Sequence, residues 1–146
     1  MRKLEPIVAV TLLALLIACA PGLSAPGGAP GAPAAPAAVE RFLQLARDND
    51  YAAMGWLFGT SEGAVIQRDP VTEVEQRMYA LANLLSHDSF VVGEGSPLPG
   101  RGDQALLFNV ALRRGFETRE VPFTVVRGPE NRWFVEQLGV EALTGQ

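Results

Sequence analysis

Three residue types are nearly missing from this chain. Among 146 residues there is one cysteine (Cys19), one histidine (His87) and one lysine (Lys3). A single cysteine excludes an intramolecular disulfide and a cysteine-built zinc site. A single histidine excludes a histidine metal cluster, and any Ser-His-Asp arrangement would have to rest on His87. Basic charge is therefore left to arginine, and it is outnumbered. Past Arg2, Lys3 and Glu5, ten arginines stand against fifteen acidic residues, and the whole chain carries a formal −4. No basic run occurs, which argues against nucleic acid as a partner, because phosphate-backbone binders gather Lys and Arg on one face. It argues equally against electrostatic attraction to anionic lipid head groups. Also lacking is an apolar run of the ~20 residues that a bilayer-spanning helix needs. Aromatic residues are absent before Phe42, and all seven Phe, two Trp and two Tyr are found from there on.

What is present at the start is a short cationic segment, Met1-Arg2-Lys3, and an apolar run from Ile7 to Ala18 broken only by Thr11. Pro21 and Gly22 follow at once. That layout predicts a cleaved export signal over residues 1–18 rather than a transmembrane anchor. The end of the run, Leu16-Ile17-Ala18-Cys19, resembles the bacterial lipobox. The resemblance implies a diacylglycerol thioether on Cys19, cleavage between Ala18 and Cys19, and an acyl group such as palmitate on the new amino terminus. Two or more chains anchor stably where one does not, at about 0.8 kcal/mol per buried methylene. The localisation implied is an exported, lipid-anchored protein of the cell envelope. Ala20, in place of Asp, points to the outer membrane if the source is Gram-negative.

Residues 19–38 then form the lipidated cysteine and a tether. From Ala20 to Ala38 there are eight Ala, five Pro and four Gly, without charge or aromatic residue. Pro21, Pro26, Pro30, Pro33 and Pro36 favour extended backbone, so this segment is expected to act as a spacer reaching roughly 60 Å.

Residues 39–146 carry the periodicities of a folded domain. Val39, Phe42, Leu43 and Ala46 recur at helical spacing. Asn49-Asp50 interrupts the stripe, and Asp50 is placed to cap a second helix containing Tyr51, Met54, Leu57 and Phe58. Residues 60–69 read as a loop. Asp69-Pro70 signals the start of a third helix over 70–86, with Asp69 at its N-cap. Past His87 the period becomes two. Phe90-Val91-Val92 is a short apolar run, Gly93 to Gly102 reads as a Gly/Pro-rich turn, and Leu106, Phe108, Val110 and Leu112 alternate along a strand. Val121, Phe123 and Val125 do the same in the next strand, where Pro122 requires a bulge or an edge position. A turn at Gly128-Pro129-Glu130-Asn131 precedes a last strand opening on Trp133. Helices followed by hairpin-linked strands give an α+β fold: three N-terminal helices on a curved antiparallel sheet of about four strands.

The succession of Asn49-Asp50-Tyr51-Ala52-Ala53 between two helices, a third helix, and a meander ending in Arg132-Trp133-Phe134-Val135-Glu136 resembles the nuclear transport factor 2-like (cystatin-like) fold. It is similar in particular to small bacterial lipoproteins with that domain. The resemblance spans about 39–143 and implies a cone with a cavity at its open end. Members of that family include isomerases, dehydratases and ligand binders, so the fold does not give the function.

Candidate site residues are few. His87 and Asp88 could form a general acid–base pair, although Ser86-His87-Asp88-Ser89 reads first as a polar connector between helix and strand. Asn109, the one polar residue in the most apolar strand, is the candidate for lining a cavity, against an outward position predicted by alternation. Tyr51, Trp56 and Tyr79 could line an apolar pocket or simply pack. Thr60-Ser61-Glu62-Gly63 could be a lid, a partner surface or a solvated crossing. Arg101-Gly102-Asp103 reads as a turn, and no metal cluster is visible. These residues point away from catalysis. The expected function is a non-catalytic ligand-binding or protein-interaction module of the cell envelope, held to the membrane through Cys19 with no cofactor beyond that lipid. Its partner is a small ligand or an envelope protein. The alternatives are an isomerase- or hydratase-like enzyme using His87 or Asp88 on an apolar molecule, and an assembly subunit forming a homodimer through its sheet.

Overall fold

The computed structural model describes Ala25 and residues 28–145. The expected signal segment, Ala18, Cys19 and the first part of the tether lie outside these residues. The architecture is α+β, built on one antiparallel four-stranded sheet whose strands lie side by side in chain order. No helix among the described residues is long and apolar enough to cross a membrane.

Helix α1 spans Ala35–Asp48 and buries Val39, Phe42, Leu43 and Ala46, the stripe its spacing predicts. It ends at Asn49, which takes the left-handed conformation (φ 56°) that Asn tolerates better than most side chains. Helix α2, Tyr51–Leu57, starts under the Asp50 carboxylate, which accepts from the Ala53 N–H at 3.1 Å. The next residues are not the plain loop expected. Strands β1 (Gly59–Thr60) and β2 (Gly63–Ala64) make a small hairpin. A 3-10 turn at Val65–Gln67 leads on from it. Helix α3 covers Val71–Leu84 and buries Val74, Met78 and Ala82. Its N-cap is Pro70 and has no side-chain cap; Asp69 pairs with Arg77 instead, about two helical turns inward. The helices before the main sheet are thus interrupted by a hairpin, and a fourth, α4 (Glu141–Thr144), closes the chain.

The main sheet comprises β3 (Ser89–Leu98), β4 (Gly102–Arg114), β5 (Glu117–Arg127) and β6 (Trp133–Leu138). Strand β3 runs well past Val92 into the segment expected to be a turn, with register shifts at Val92/Gly95 and Pro97/Leu98. Gly95 is what allows this. A Cβ there would lie 2.6 Å from the Phe108 ring, so only glycine lets β3 cross over that side chain. Pro122 lies inside β5 at the point where β6 has given way to Gly139, whose N–H donates to the Pro122 carbonyl at 2.9 Å. The N–H it lacks therefore breaks no rung of the β5–β6 ladder.

Phe108, Val110 and Leu112 of β4 and Val121, Phe123 and Val125 of β5 are all buried. Phe42 of α1 joins this face, with its ring 6.5 Å from Phe123 edge-on and 6.0 Å from Phe58. The space between helices and sheet is therefore filled by side chains. At the β3–β4 turn Arg101 forms a forked pair with Glu136 of β6 at 2.6 and 3.2 Å. That hydrogen bond, and secondarily the carboxylate charge, raises the Arg101 guanidinium above its ordinary value.

The folded unit begins before Val39. Helix α1 starts at Ala35 with Pro36 in its first turn, a position where the missing N–H costs nothing. Upstream of it, Ala32 is fully buried and exchanges two backbone hydrogen bonds with Trp133, both 2.8 Å. The Gly31 N–H donates to the Trp56 carbonyl at 2.9 Å. Arg132 donates to the carbonyls of Pro30 at 3.0 Å and Gly31 at 2.8 Å. The last part of the expected spacer is thus stitched to the edge of β6. Phe58 covers that edge further along, in a bridge to Val135.

Candidate functional site

The residues singled out in the sequence do not converge. The His87 Nδ1 lies 2.6 Å from the Leu85 carbonyl, which can only accept, so Nδ1 carries the proton. Its Nε2 is sealed from solvent without a hydrogen-bond partner, and the ring stands edge-on to Phe90 at 5.4 Å. The Asp88 carboxylate accepts from the Gly115 N–H at 2.7 Å, while its own N–H donates to the Arg113 carbonyl, also at 2.7 Å. These two residues are engaged in separate structural contacts: His87 finishes the turn after α3, and Asp88 clips β3 to the β4–β5 turn. Asn109 is exposed, opposite Pro122, on the face of β4 away from Phe108 and Val110. It does not line an interior space, because that face turns toward solvent.

The three aromatics separate as well. Tyr51 and Tyr79 meet edge-on at 5.5 Å, with Tyr79 54% exposed on the outside of α3. Trp56 is buried elsewhere, at a crevice of only about 10 Å³ beside Gly31 and Leu57. Thr60-Ser61-Glu62-Gly63 forms the turn of the β1–β2 hairpin, with Arg68 donating to Glu62 at 3.1 Å. Among the described residues no three His, Cys, Asp or Glu side chains gather as a metal ion would require.

The site with chemical content is one that the sequence reading passed over. Leu112 pairs with Arg119 and Arg114 with Glu117 across the β4–β5 ladder. Alternation carries the inward face from Val110 and Leu112 directly to Arg114, and from Val121 to Arg119 and Glu117. At the end of the sheet, then, the face that holds the core becomes charged. These side chains line an open groove of about 340 Å³, walled by Leu84 at the end of α3 and by Leu143 of α4.

Its electrostatics are uneven. Arg119 donates to the Leu143 carbonyl at 2.8 Å and reaches Glu117 at 3.4 Å. Arg119 thus ties α4 to β5 and takes up the only carboxylate of the groove. Arg114 stands opposite Glu117 in register, yet its side chain makes no hydrogen bond or ion pair with any described residue. Two arginines against one glutamate leave the groove with a net positive charge, concentrated on a guanidinium whose donors no described residue takes up. Leu84, 39% exposed, and Leu143 supply apolar surface beside it. At the tip of the same hairpin Phe116 is fully exposed.

Comparison with protein-family models, with curated proteins and with solved structures gives no match to this chain.

Proposed function

We propose that this chain is an exported lipoprotein, anchored through Cys19, whose nuclear transport factor 2-like domain is a non-catalytic binding module of the cell envelope. The observation that carries this is the placement of the two ends of the domain. Pro30 to Ala32 are sewn to Trp133, Trp56 and Arg132, beside the β5–β6 turn. The charged groove lies at the other end of β5, whose eleven residues span roughly 35 Å at ~3.3 Å each. A chain held at its amino end therefore presents the groove away from the bilayer.

A binding role fits the interior better than a catalytic one. The inward sheet face is occupied by Phe108, Val110, Phe123 and Val125, and His87 has one nitrogen committed and the other sealed. Among the described residues His87 and Asp88 are thus engaged in separate structural contacts rather than paired for proton transfer. The anchor is tested by fractionating cells that express the chain or its Cys19→Ser variant. The parent should stay with membranes until detergent is added, and the variant should leave them. A variant that still sediments with membranes as a processed chain would refute the anchor.

A further inference from the structure

We infer that the groove between the β4–β5 hairpin, α3 and α4 binds a small monocarboxylate bearing a short apolar chain. This rests on the binding role proposed above and names its ligand. The carboxylate partner is Arg114. A guanidinium presents a planar fork that matches a carboxylate's two oxygens, and Arg114 spends none of its donors within the described protein. The apolar chain lies along Leu84 and Leu143, which border the same groove. At about 340 Å³ the groove sits near the lower end of ligand sites, roughly 300–1,000 Å³, which suits a molecule of a few carbons.

The charge count selects a monoanion over a phosphate. Glu117 is directly opposite Arg114 and its side chain is 74% exposed, so a dianion at the fork would face a carboxylate only partly balanced by Arg119. One negative charge neutralises the excess of the groove; two would overshoot it. Two further contacts keep the site in shape before a ligand arrives. Asp88 holds the Gly115 N–H and so fixes the turn that carries Arg114, while Arg119 holds the Leu143 carbonyl and so fixes the α4 wall. An ordered site of this kind binds without the cost of first arranging its parts.

The test is calorimetric titration of the full processed chain in nanodiscs of zwitterionic lipid, with empty nanodiscs subtracted. The probes are hexanoate, its neutral counterpart hexanamide, and inorganic phosphate. Saturable hexanoate binding at least tenfold tighter than hexanamide or phosphate supports the assignment. Arg114→Gln should weaken hexanoate about tenfold and leave hexanamide unchanged. Arg68→Gln, whose partner is Glu62 and which does not border the groove, should change neither. Equal affinity for acid and amide would overturn the proposal, as would phosphate binding as tightly as hexanoate or equal losses in the two arginine variants. The acid–amide comparison on the unaltered chain decides the matter even if Arg114→Gln folds poorly. Repeating it on Cys19→Ser in free solution separates the two proposals: a failed anchor leaves hexanoate binding intact, and a failed ligand assignment leaves membrane attachment intact.

Discussion

Gly31→Ala probes whether the end of the Ala/Pro/Gly segment belongs to the folded unit. Gly31 has φ +74°, and a Cβ added there would lie 2.8 Å from Phe134 Cζ, 2.9 Å from the Trp133 carbonyl oxygen and 3.1 Å from Arg132 Cβ. The left-handed backbone costs an L-residue about 1–2 kcal/mol. Forcing a methyl against a packed ring and a fixed carbonyl costs about 1–3 kcal/mol more. The carbonyl cannot easily yield, because it accepts the Ala32 N–H at 2.8 Å. Against this, alanine restricts the unfolded chain and returns ~0.5–1 kcal/mol. The net expectation is a loss of about 2–4 kcal/mol, which for a domain of this size lowers the melting temperature by roughly 10–20 °C. Gly28→Ala is the control, since Gly28 also has positive φ, +84°, but nothing lies within 4 Å of its added Cβ. Denaturant unfolding of the processed chain in detergent, followed by tryptophan fluorescence, reads both. Trp56 and Trp133 flank the stitched segment and report its release directly. If both variants lose less than about 1 kcal/mol, Pro30 to Ala32 are not part of the cooperative unit. The placement of anchor and groove at opposite ends would then lose its basis.

Two other substitutions test the packing and capping that place the groove. Phe42→Ala removes a fully buried ring in contact with Phe58 and Phe123, and should cost about 3–5 kcal/mol in the same unfolding measurement. Asp50→Ala removes the acceptor for the Ala53 N–H and should cost ~1 kcal/mol, with hexanoate affinity unchanged because α2 does not border the groove.

The helices were legible wherever their own residues decided the matter. Val39, Phe42, Leu43 and Ala46 mark the buried side of α1, and the Asp50 carboxylate caps α2, because spacing and capping are local properties. The misreadings share a different cause. Pro30 and Gly31 look like spacer by composition, yet their carbonyls bond Arg132 about a hundred residues away, a contact that no local propensity encodes. Glycines and prolines between Gly93 and Leu98 read as a turn because such residues usually punctuate strands. In β3 the glycine serves the Phe108 ring beneath it, and the strand continues. Asp69 has the right spacing for an N-cap, but Arg77 offers it an ion pair that an N-cap geometry would forgo.

The groove is the opposite case, since the signal was present and local. Gly115 and Phe116 form a two-residue turn, so counting outward pairs Arg114 with Glu117 and Leu112 with Arg119 without any structural knowledge. Once Leu112 and Val121 are taken as inward, three charged residues must follow on the core side of the hairpin. Apolar residues at 114 and 119 would have extended the core toward Leu84 and Leu143, both already exposed or half-buried there. The chain instead stops its apolar pattern two rungs short of the turn and ends the inner face with charge. A break in an otherwise consistent pattern, with no internal partner to absorb the leftover cation, is where a functional contact is expected. Arg114 meets that description, and Asn109, the polar residue that first draws the eye in this strand, does not: its position follows the alternation and faces solvent.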